Sequence, residues 1–148
     1  MRDPVSAILD HKGRYVHSVG PRATVAEAVR VMNGAKIGCL VVLEEERPVG
    51  IFTERDVLVR VVDAGLDPRT TRVAEVMTVN PFAIRPATTV EEAMVVVTEK
   101  RCRHLPVIEG GELSGLVSIG DLTRWVVRDQ RGRIDDLVSY ITGGFAGG

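Results

Sequence analysis

Hydrophobic residues along this 148-residue chain follow two kinds of spacing, and the two kinds alternate in the same order twice. Spacings of three and four residues, typical of one face of a helix, occur over 24–34 and 57–62, and again over 89–100 and 122–126. Short apolar runs between turn residues, typical of strands, lie at 15–19, 39–43 and 49–52, and then at 82–84, 105–108 and 112–117. Each half of the chain is therefore predicted to be β-α-β-β-α, and a short lead-in helix is predicted over 4–12.

The two halves also match residue by residue. Residues 18–62, moved forward by 65 positions, fall on residues 83–127 without a gap and give thirteen identities in 45 positions. A chain this rich in valine would give about three or four identities by chance. A period this long in two copies predicts a two-fold pseudo-symmetric globule whose functional surfaces lie between its halves.

The repeated pattern also predicts a fold class. A right-handed β-α-β crossover places both helices of a half on one face of its sheet, which leaves the other face to pack against the second half. We therefore predict an α/β (α+β) fold of two pseudo-symmetric β-α-β-β-α repeats packed through their sheets. The predicted divisions are a lead-in helix in 1–13, a first repeat in 14–70, a second repeat in 71–128, and a C-terminal helix with a glycine-rich tail in 129–148. Past Arg128 the chain is basic and is expected to be flexible, and the resumed helical spacing over Ile134–Ile141 is predicted to form a dimer contact.

Composition narrows the classes of partner. A hydrophobic content of 45% with 26% charged residues fits a soluble protein with an aliphatic core. A net charge of -1 and an aromatic content of 4% argue against nucleic acid and acidic membranes as partners. The two cysteines, Cys39 and Cys102, stand at non-equivalent repeat positions, which gives no sign of a disulfide framework. No apolar run is long enough to span a membrane, and the first residues lack a signal-peptide profile. The expected location is the cytoplasm.

Each of the four main helices begins with a hydroxyl residue followed three positions later by an acid. The pairs are Thr24/Glu27, Thr53/Asp56, Thr89/Glu92 and Ser118/Asp121. A capping box explains such a pair, because the two side chains satisfy free backbone N–H groups at a helix start. Thr53 and Ser118 also follow a glycine-containing buried strand, and a strand that runs directly into a helix N-terminus suits a phosphate. An Asp in the same turn could accept from a ribose diol. Spacing alone leaves capping and ligand binding both open.

Five segments of the chain carry a family resemblance. They are Thr24–Ala28, Gly50–Asp56, Val76–Pro81, Arg103–Val107 and Gly115–Asp121. In this combination and order, the stretch from about Arg14 to Val127 resembles a tandem pair of cystathionine β-synthase (CBS) domains, the Bateman module, of the stand-alone bacterial or archaeal type. The resemblance implies a regulatory module that binds an adenine nucleotide (AMP, ADP or ATP, or the related NAD or S-adenosylmethionine) in one or both clefts between the repeats. It also implies a homodimer.

Carried over residue by residue, the resemblance implies two binding clefts. Asp56 and Asp121 would accept hydrogen bonds from ribose hydroxyls, with Thr53 and Ser118 near phosphate. The other repeat would complete each cleft: for Asp56 with Thr78, Pro81 and Phe82, and for Asp121 with Lys12, Gly13 and His17. Adenine would pair with backbone groups near Ile37 and Gly38, and near Cys102 and Arg103.

The two clefts are expected to differ in charge. Arg103 and His104 stand at the repeat positions of Gly38 and Cys39, so the Asp121 cleft would hold basic donors for phosphate that its twin lacks. Conversely, Arg55 stands where the second repeat has Gly120. His104 could equally be a partly buried imidazole satisfied by a carbonyl, and Arg103 a solvated surface charge.

No catalytic motif is present, so an enzyme is not expected. Cys102 and His104 lack further ligands at metal spacing, so no metal and no catalytic cofactor are expected. Two alternatives to ligand sensing stay open: a ligand-free dimerising scaffold, and a detached regulatory subunit of a separate enzyme or transporter with an unidentified client protein. The identity of the adenosyl ligand, the occupancy of the clefts and the orientation of the dimer are also open.

Overall fold

The structure is a computed structural model that describes residues 2–146, with side chains for residues 2–132. The elements up to the end of the first half are α1 Val5–Lys12, β1 Ser18–Val19, α2 Val25–Ala35, β2 Cys39–Glu44, β3 Arg47–Thr53 and α3 Glu54–Asp56, which continues as a π-helical segment Val57–Val62. The later elements are α4 Val73–Val76, β4 Thr78–Val79, α5 Val90–Glu99, β5 His104–Glu109, β6 Glu112–Ser118 and α6 Ile119–Ala146. The repeated order of helices and strands is confirmed except for the first strand of the second repeat.

The strands form one sheet in each half. The first sheet has the order β1-β2-β3-β4, with β1 parallel to β2 and the other pairs antiparallel. The second consists of the antiparallel pair β5-β6 among the described residues. β2 with β3 and β5 with β6 pair in equivalent registers, because Cys39 faces Thr53 and His104 faces Ser118. The repeat therefore fixes the same strand-to-helix turn in both halves.

The strand predicted over 82–84 is wrong, and a single parallel bridge joins Ile84 to Val107 in its place. In the first half, the Val41 N–H donates to the His17 carbonyl (3.2 Å) next to β1. The position equivalent to Val41 is Pro106, which has no N–H to donate. The second sheet therefore lacks a ladder bond that the first sheet makes.

The two halves pack through their sheets, as predicted. A small apolar cluster lies between them and contains Cys39, Val41 and Ile51 from the first sheet, with Leu113 and Leu116 of β6 packed against it. Larger clusters lie on the helical side of each sheet. Burial of aliphatic surface on both sides of each sheet is what holds this layered arrangement together.

Each half receives a short helix from outside its own repeat. Val5, Ile8 and Leu9 of α1 belong to the core of the second half, whereas Val73 and Val76 of α4 belong to the core of the first. Equivalent backbone bonds attach the two segments: Val90 N–H donates to the Asp3 carbonyl (2.8 Å), and Val25 N–H to the Thr71 carbonyl (2.9 Å). The lead-in helix is therefore an integral part of the second core.

Two equivalent glycines allow the exchanged segments to approach the sheets. A Cβ at Gly50 would lie 2.7 Å from the Thr78 carbonyl oxygen and 2.9 Å from Met77 Sδ. A Cβ at Gly115 would lie 2.7 and 2.8 Å from the two methyl carbons of Leu9. All four distances are shorter than real Cβ contacts. Gly50 therefore cannot be replaced unless the Thr78 backbone moves, whereas at Gly115 only the end of the Leu9 side chain would have to move.

The last helix, α6, is continuous from Ile119 to Ala146. The backbone that follows Arg128 is therefore helical up to Ala146. The side chains of Ile134–Ile141, the predicted dimer contact, lie outside the described residues. None of the helices in the described part of the chain combines the length and apolar content needed to cross a membrane.

We predict that Gly50→Ala destabilises the fold more than Gly115→Ala. The first substitution meets a backbone carbonyl of Thr78 that cannot move alone, so it should cost about 1–3 kcal/mol, whereas the second meets only the side-chain end of Leu9. Urea unfolding followed by circular dichroism measures both. Gly34→Ala, in α2 with nothing within 4 Å of its Cβ, is the control and should not destabilise. A larger loss for Gly115→Ala would contradict this account.

Candidate functional site

The chain passes directly from a strand into a helix at two equivalent turns, β3 to α3 and β6 to α6. In the first turn the Glu54 N–H donates to the Gly38 carbonyl (3.0 Å), and in the second the Ile119 N–H donates to the Arg103 carbonyl (2.8 Å). These bonds tie each helix start to the residue just before the neighbouring strand. They hold both turns at the seam between the halves.

Both turns also contain the reciprocal cap expected from their sequence. The Asp56 N–H donates to Thr53 Oγ1 (3.2 Å), and the Thr53 N–H donates to Asp56 Oδ2 (3.0 Å). The same two bonds join Asp121 and Ser118, at 3.1 and 2.9 Å. Capping is therefore one established role of all four residues, with Asp in place of the usual Glu.

Asp56 is 5% exposed and contacts the exchanged segment of the second repeat. Thr78 of β4 donates its hydroxyl to Asp56 Oδ1 (3.2 Å), which joins two predicted site residues. Arg60 Nε lies 3.7 Å from Asp56 Oδ1. Of the other residues predicted for this cleft, Pro81 is half-buried, and Phe82 is exposed with the Lys100 ammonium 5.4 Å from its ring centre. Arg55 is exposed.

Asp121 is bound by a cation from α1, the exchanged segment that packs in the core of the second half. Lys12, at the end of α1, places Nζ 2.7 Å from Asp121 Oδ2 and also donates to the Leu116 carbonyl (3.0 Å). Arg124 Nη2 donates to the other carboxylate oxygen (2.9 Å). Gly13 ends α1 with φ 98°, and the His17 ring packs edge-on to Tyr15 at 4.8 Å between ring centres. The predicted pairing of Lys12 with the Asp121 turn is therefore present in the structure.

The surroundings of Asp121 change its acidity. Burial raises the pKa of the carboxyl, but hydrogen bonds from Lys12 and Ser118 together with the Lys12 charge outweigh it, so the net pKa lies below 3.8. At neutral pH the group is a carboxylate that can accept hydrogen bonds.

A cavity of about 510 Å³ lies between the two turns, and we call it the central cavity. The first half contributes Met32, Asn33, Lys36, Ile37, Gly38 and Glu54. The second half contributes Arg103, His104, Ser118, Ile119 and Gly120. Six predicted site residues therefore share one space across the seam: Ile37, Gly38, Arg103, His104, Ser118 and Gly120.

The sequence predicts two separate clefts, whereas both halves line the central cavity. Arg103 and His104 face a cavity that also includes Gly38, so their basic groups serve the space between both halves. Asp56 and Asp121 are not among the residues that line the central cavity. They lie in the same two turns, three residues beyond Thr53 and Ser118.

The chain matches one protein family along most of its length. The CBS domain family matches residues 5–63 and 73–128, which together cover well over half of the chain. The chain belongs to the CBS domain family. Both matches begin with the short helix that is exchanged between the halves, α1 in one case and α4 in the other. The chain is therefore a tandem CBS pair, as its sequence motifs indicate.

Similar proteins come from distant organisms. The mitochondrial CBS domain-containing protein CBSX3 of Arabidopsis thaliana is 39% identical over 127 residues, and this chain covers 62% of its length with 82% of its own. A CBS-domain protein of Burkholderia ambifaria has a structure that matches 86% of this chain and 96% of its own, with 40% identity and a TM-score of 0.83. The CBS domain protein PAE2072 of Pyrobaculum aerophilum, solved in complex with AMP, matches 80% of this chain and 88% of its own, with 27% identity and a TM-score of 0.71.

Four ionisable side chains of this CBS pair line the central cavity: Lys36, Glu54, Arg103 and His104. None of the four makes a side-chain hydrogen bond or an ion pair with another residue for which the structure gives side chains. Burial lowers the pKa of His104, the charges of Asp121 and Glu54 act in the opposite direction, and the net pKa stays below 6.5. The imidazole is therefore neutral at pH 7 and able to donate or accept one hydrogen bond.

The position equivalent to His104 in the first half behaves differently. Cys39 is buried, and burial followed by the charge of Asp56 raises the pKa of its thiol to about 12. It offers no charge and no ready donor to a ligand. The basic donors of the seam therefore come from the second half and from Lys36.

Sequence reasoning missed Lys36 and Glu54. Lys36 ends α2 in the left-handed conformation (φ 56°) directly before Ile37 and Gly38, and Glu54 lies inside the Gly50–Asp56 motif. Both therefore adjoin predicted residues, but only the packing of the halves shows that they face Arg103. Within the described residues, no group of three His, Cys, Asp or Glu side chains converges as metal ligands would.

We predict that Lys12→Met raises the pKa of Asp121. The folded pKa of Asp121 lies below its unfolded value, so its charge stabilises the fold above about pH 4, and this contribution is lost as the pH falls through the folded pKa. Without Lys12 the loss should begin at a higher pH. A ¹³C NMR titration of the Asp121 carboxyl measures the shift. Arg14→Met, which removes the exposed pair with Asp10, is the control. An unchanged pKa in Lys12→Met would refute the assignment.

Proposed function

We propose that this CBS pair is a regulatory module that binds an adenine nucleotide at the seam between its halves. The observation that carries the proposal is the central cavity, which both halves line and in which basic side chains have no partner of their own. Its volume of about 510 Å³ falls in the range of small-molecule sites. The AMP bound to the Pyrobaculum relative supports the same ligand class.

The phosphate end of the nucleotide belongs in the second-half wall of the cavity. Arg103 and His104 supply donors there, and the Ser118 hydroxyl still has a hydrogen to donate after accepting from the Asp121 N–H. Gly120, at the start of the long helix α6, also lines the cavity, and the positive end of the helix dipole lies there. Charge-assisted hydrogen bonds of this kind are the strong ones in phosphate recognition.

The two aspartates are proposed to hold the ribose. Each carboxylate is already anchored by its cap and by one group from an exchanged segment, Thr78 for Asp56 and Lys12 for Asp121. A ribose diol that reached either carboxylate would meet that segment too, so occupancy of the seam would affect how the exchanged helices sit. Binding that favours one arrangement of the halves shifts the population toward it. We therefore propose regulation rather than catalysis.

The choice between AMP, ADP, ATP, NAD and S-adenosylmethionine is a matter for titration, as is the number of nucleotides bound. Five further residues stay predicted contacts of the flanking clefts: Gly13, His17, Arg55, Pro81 and Phe82.

A cytoplasmic location also stays a prediction, and it is consistent with Cys39 and Cys102 being free thiols. A client protein would be the target of the regulation.

We predict that Asp121→Ala weakens nucleotide binding more than Asp56→Ala. Both variants lose a cap, which costs about 1 kcal/mol of stability, but Asp121 lies beside the basic wall of the cavity. The measurement is calorimetric titration with each of the five ligands, supported by thermal unfolding, where ligand at 100 times its Kd should add about 2.7 kcal/mol. If no ligand binds and both variants lose only the capping increment, the protein is a scaffold.

A second proposal concerns self-association. The face of the helix that follows the first turn is apolar and open, with Leu58 64% and Val62 65% exposed. Val127 of α6, which is the repeat equivalent of Val62, is also exposed. Aliphatic faces at two pseudo-symmetric positions suit a two-fold contact with a second copy of the chain. We therefore propose that a homodimer covers this face.

We predict that the double variant Leu58→Asp/Val62→Asp is monomeric, because a dimer would have to bury two unpaired carboxylates. Sedimentation equilibrium of the full chain gives the mass. Val31→Asp, at an exposed aliphatic position on α2, is the control and should leave the mass unchanged. Removal of residues 131–148 tests the predicted contact at Ile134–Ile141 separately. A double variant that stays dimeric would contradict the assignment of this face.

A further inference from the structure

The central cavity holds an acid that phosphate binding alone does not account for. Arg103, His104 and Lys36 are the groups expected around a phosphate, but Glu54 lines the same space. Its repeat mate on the opposite side of the cavity is Ile119, which has no charge. The acid therefore belongs to one half only and faces the basic wall of the other.

The position of Glu54 is well defined. Its backbone N–H is bonded to the Gly38 carbonyl, and its carboxylate atoms lie 3.0–3.2 Å from the place where a Cβ of Gly38 would be. Gly38 stands at the repeat position of Arg103. The first half therefore has only the Gly38 backbone at the position where the second half has the Arg103 guanidinium. The Glu54 carboxylate lies next to that backbone.

The charges around the cavity nearly balance. Lys36 and Arg103 are cations, Glu54 is an anion and His104 is neutral at pH 7, so the lining carries a net charge of about +1. A monophosphate carries about two negative charges, and a free triphosphate carries about twice that. The extra charges of a triphosphate would lie in the same small space as the Glu54 carboxylate, where they repel it.

We propose that Glu54 makes the central cavity discriminate between nucleotides by the charge of their phosphate end, because its carboxylate weakens the binding of a free triphosphate more than that of a monophosphate. The inference rests on the proposed function, since it requires the phosphate end to lie in this cavity. It also implies that Glu54 weakens the binding of a triphosphate carrying a bound Mg²⁺, whose net charge is about that of a monophosphate, less than it weakens the binding of the free form.

The test is calorimetric titration of the full chain at one ionic strength with AMP, with ATP in EDTA, and with ATP in excess Mg²⁺. The affinity of the native chain for each ligand is the reference for the affinity of the variants for the same ligand. Glu54→Gln should strengthen AMP binding about threefold and free ATP binding about tenfold, because every charge on the ligand gains from the loss of one carboxylate. Glu44→Gln, at an exposed acid outside the cavity, is the matched control and should change neither affinity.

The reverse substitution keeps the inference testable if Glu54→Gln folds poorly. Ile119→Glu adds an acid to the other side of the cavity, at a helix start that favours one, and should weaken free ATP about tenfold and AMP about threefold. If either variant changes the affinities for AMP and free ATP by the same factor, charge selection by Glu54 is overturned while nucleotide binding stands. If the native chain binds no nucleotide, both proposals fail.

Discussion

The exchange of one short segment between the two halves is the constraint on which the rest of this CBS pair depends. Leu9 of α1 is fully buried in the second core, and Val73 of α4 is fully buried in the first. Neither core is closed by its own repeat alone, so the halves are held together by burial of aliphatic side chains as well as by the contact between sheets. The seam is therefore a fixed feature of the fold rather than a loose junction.

The same exchange brings polar groups to the site. Lys12 at the end of α1 reaches Asp121, and Thr78 of β4 reaches Asp56, while Gly115 and Gly50 make room for the two segments. Each aspartate is thus bonded to a segment whose apolar residues pack in a core. These bonds between the aspartates and the exchanged segments are the reason for the proposal that a ligand at the seam affects the arrangement of the halves.

The repeat is symmetric in its framework and asymmetric in its charges. Both turns carry the same reciprocal cap, because it needs only a hydroxyl and an acid at matching positions. Both also make the same backbone bond to the residue just before the neighbouring strand. The groups that face the central cavity differ from half to half: Glu54 against Ile119, and Gly38 against Arg103. Both copies therefore share one scaffold, and they differ in the groups that they present to the central cavity.

The sequence by itself determined the element order, the sheet-to-sheet packing, the caps and most of the residues at the seam. These follow from periodicity and from short motifs, which act over neighbouring positions and leave a local pattern. Only the tertiary structure decided that α1 completes the second core, that Pro106 costs the second sheet a strand bond, and that Lys36 and Glu54 face Arg103. Those outcomes depend on contacts between residues that are far apart in the sequence, and such contacts leave no pattern of spacing along the chain.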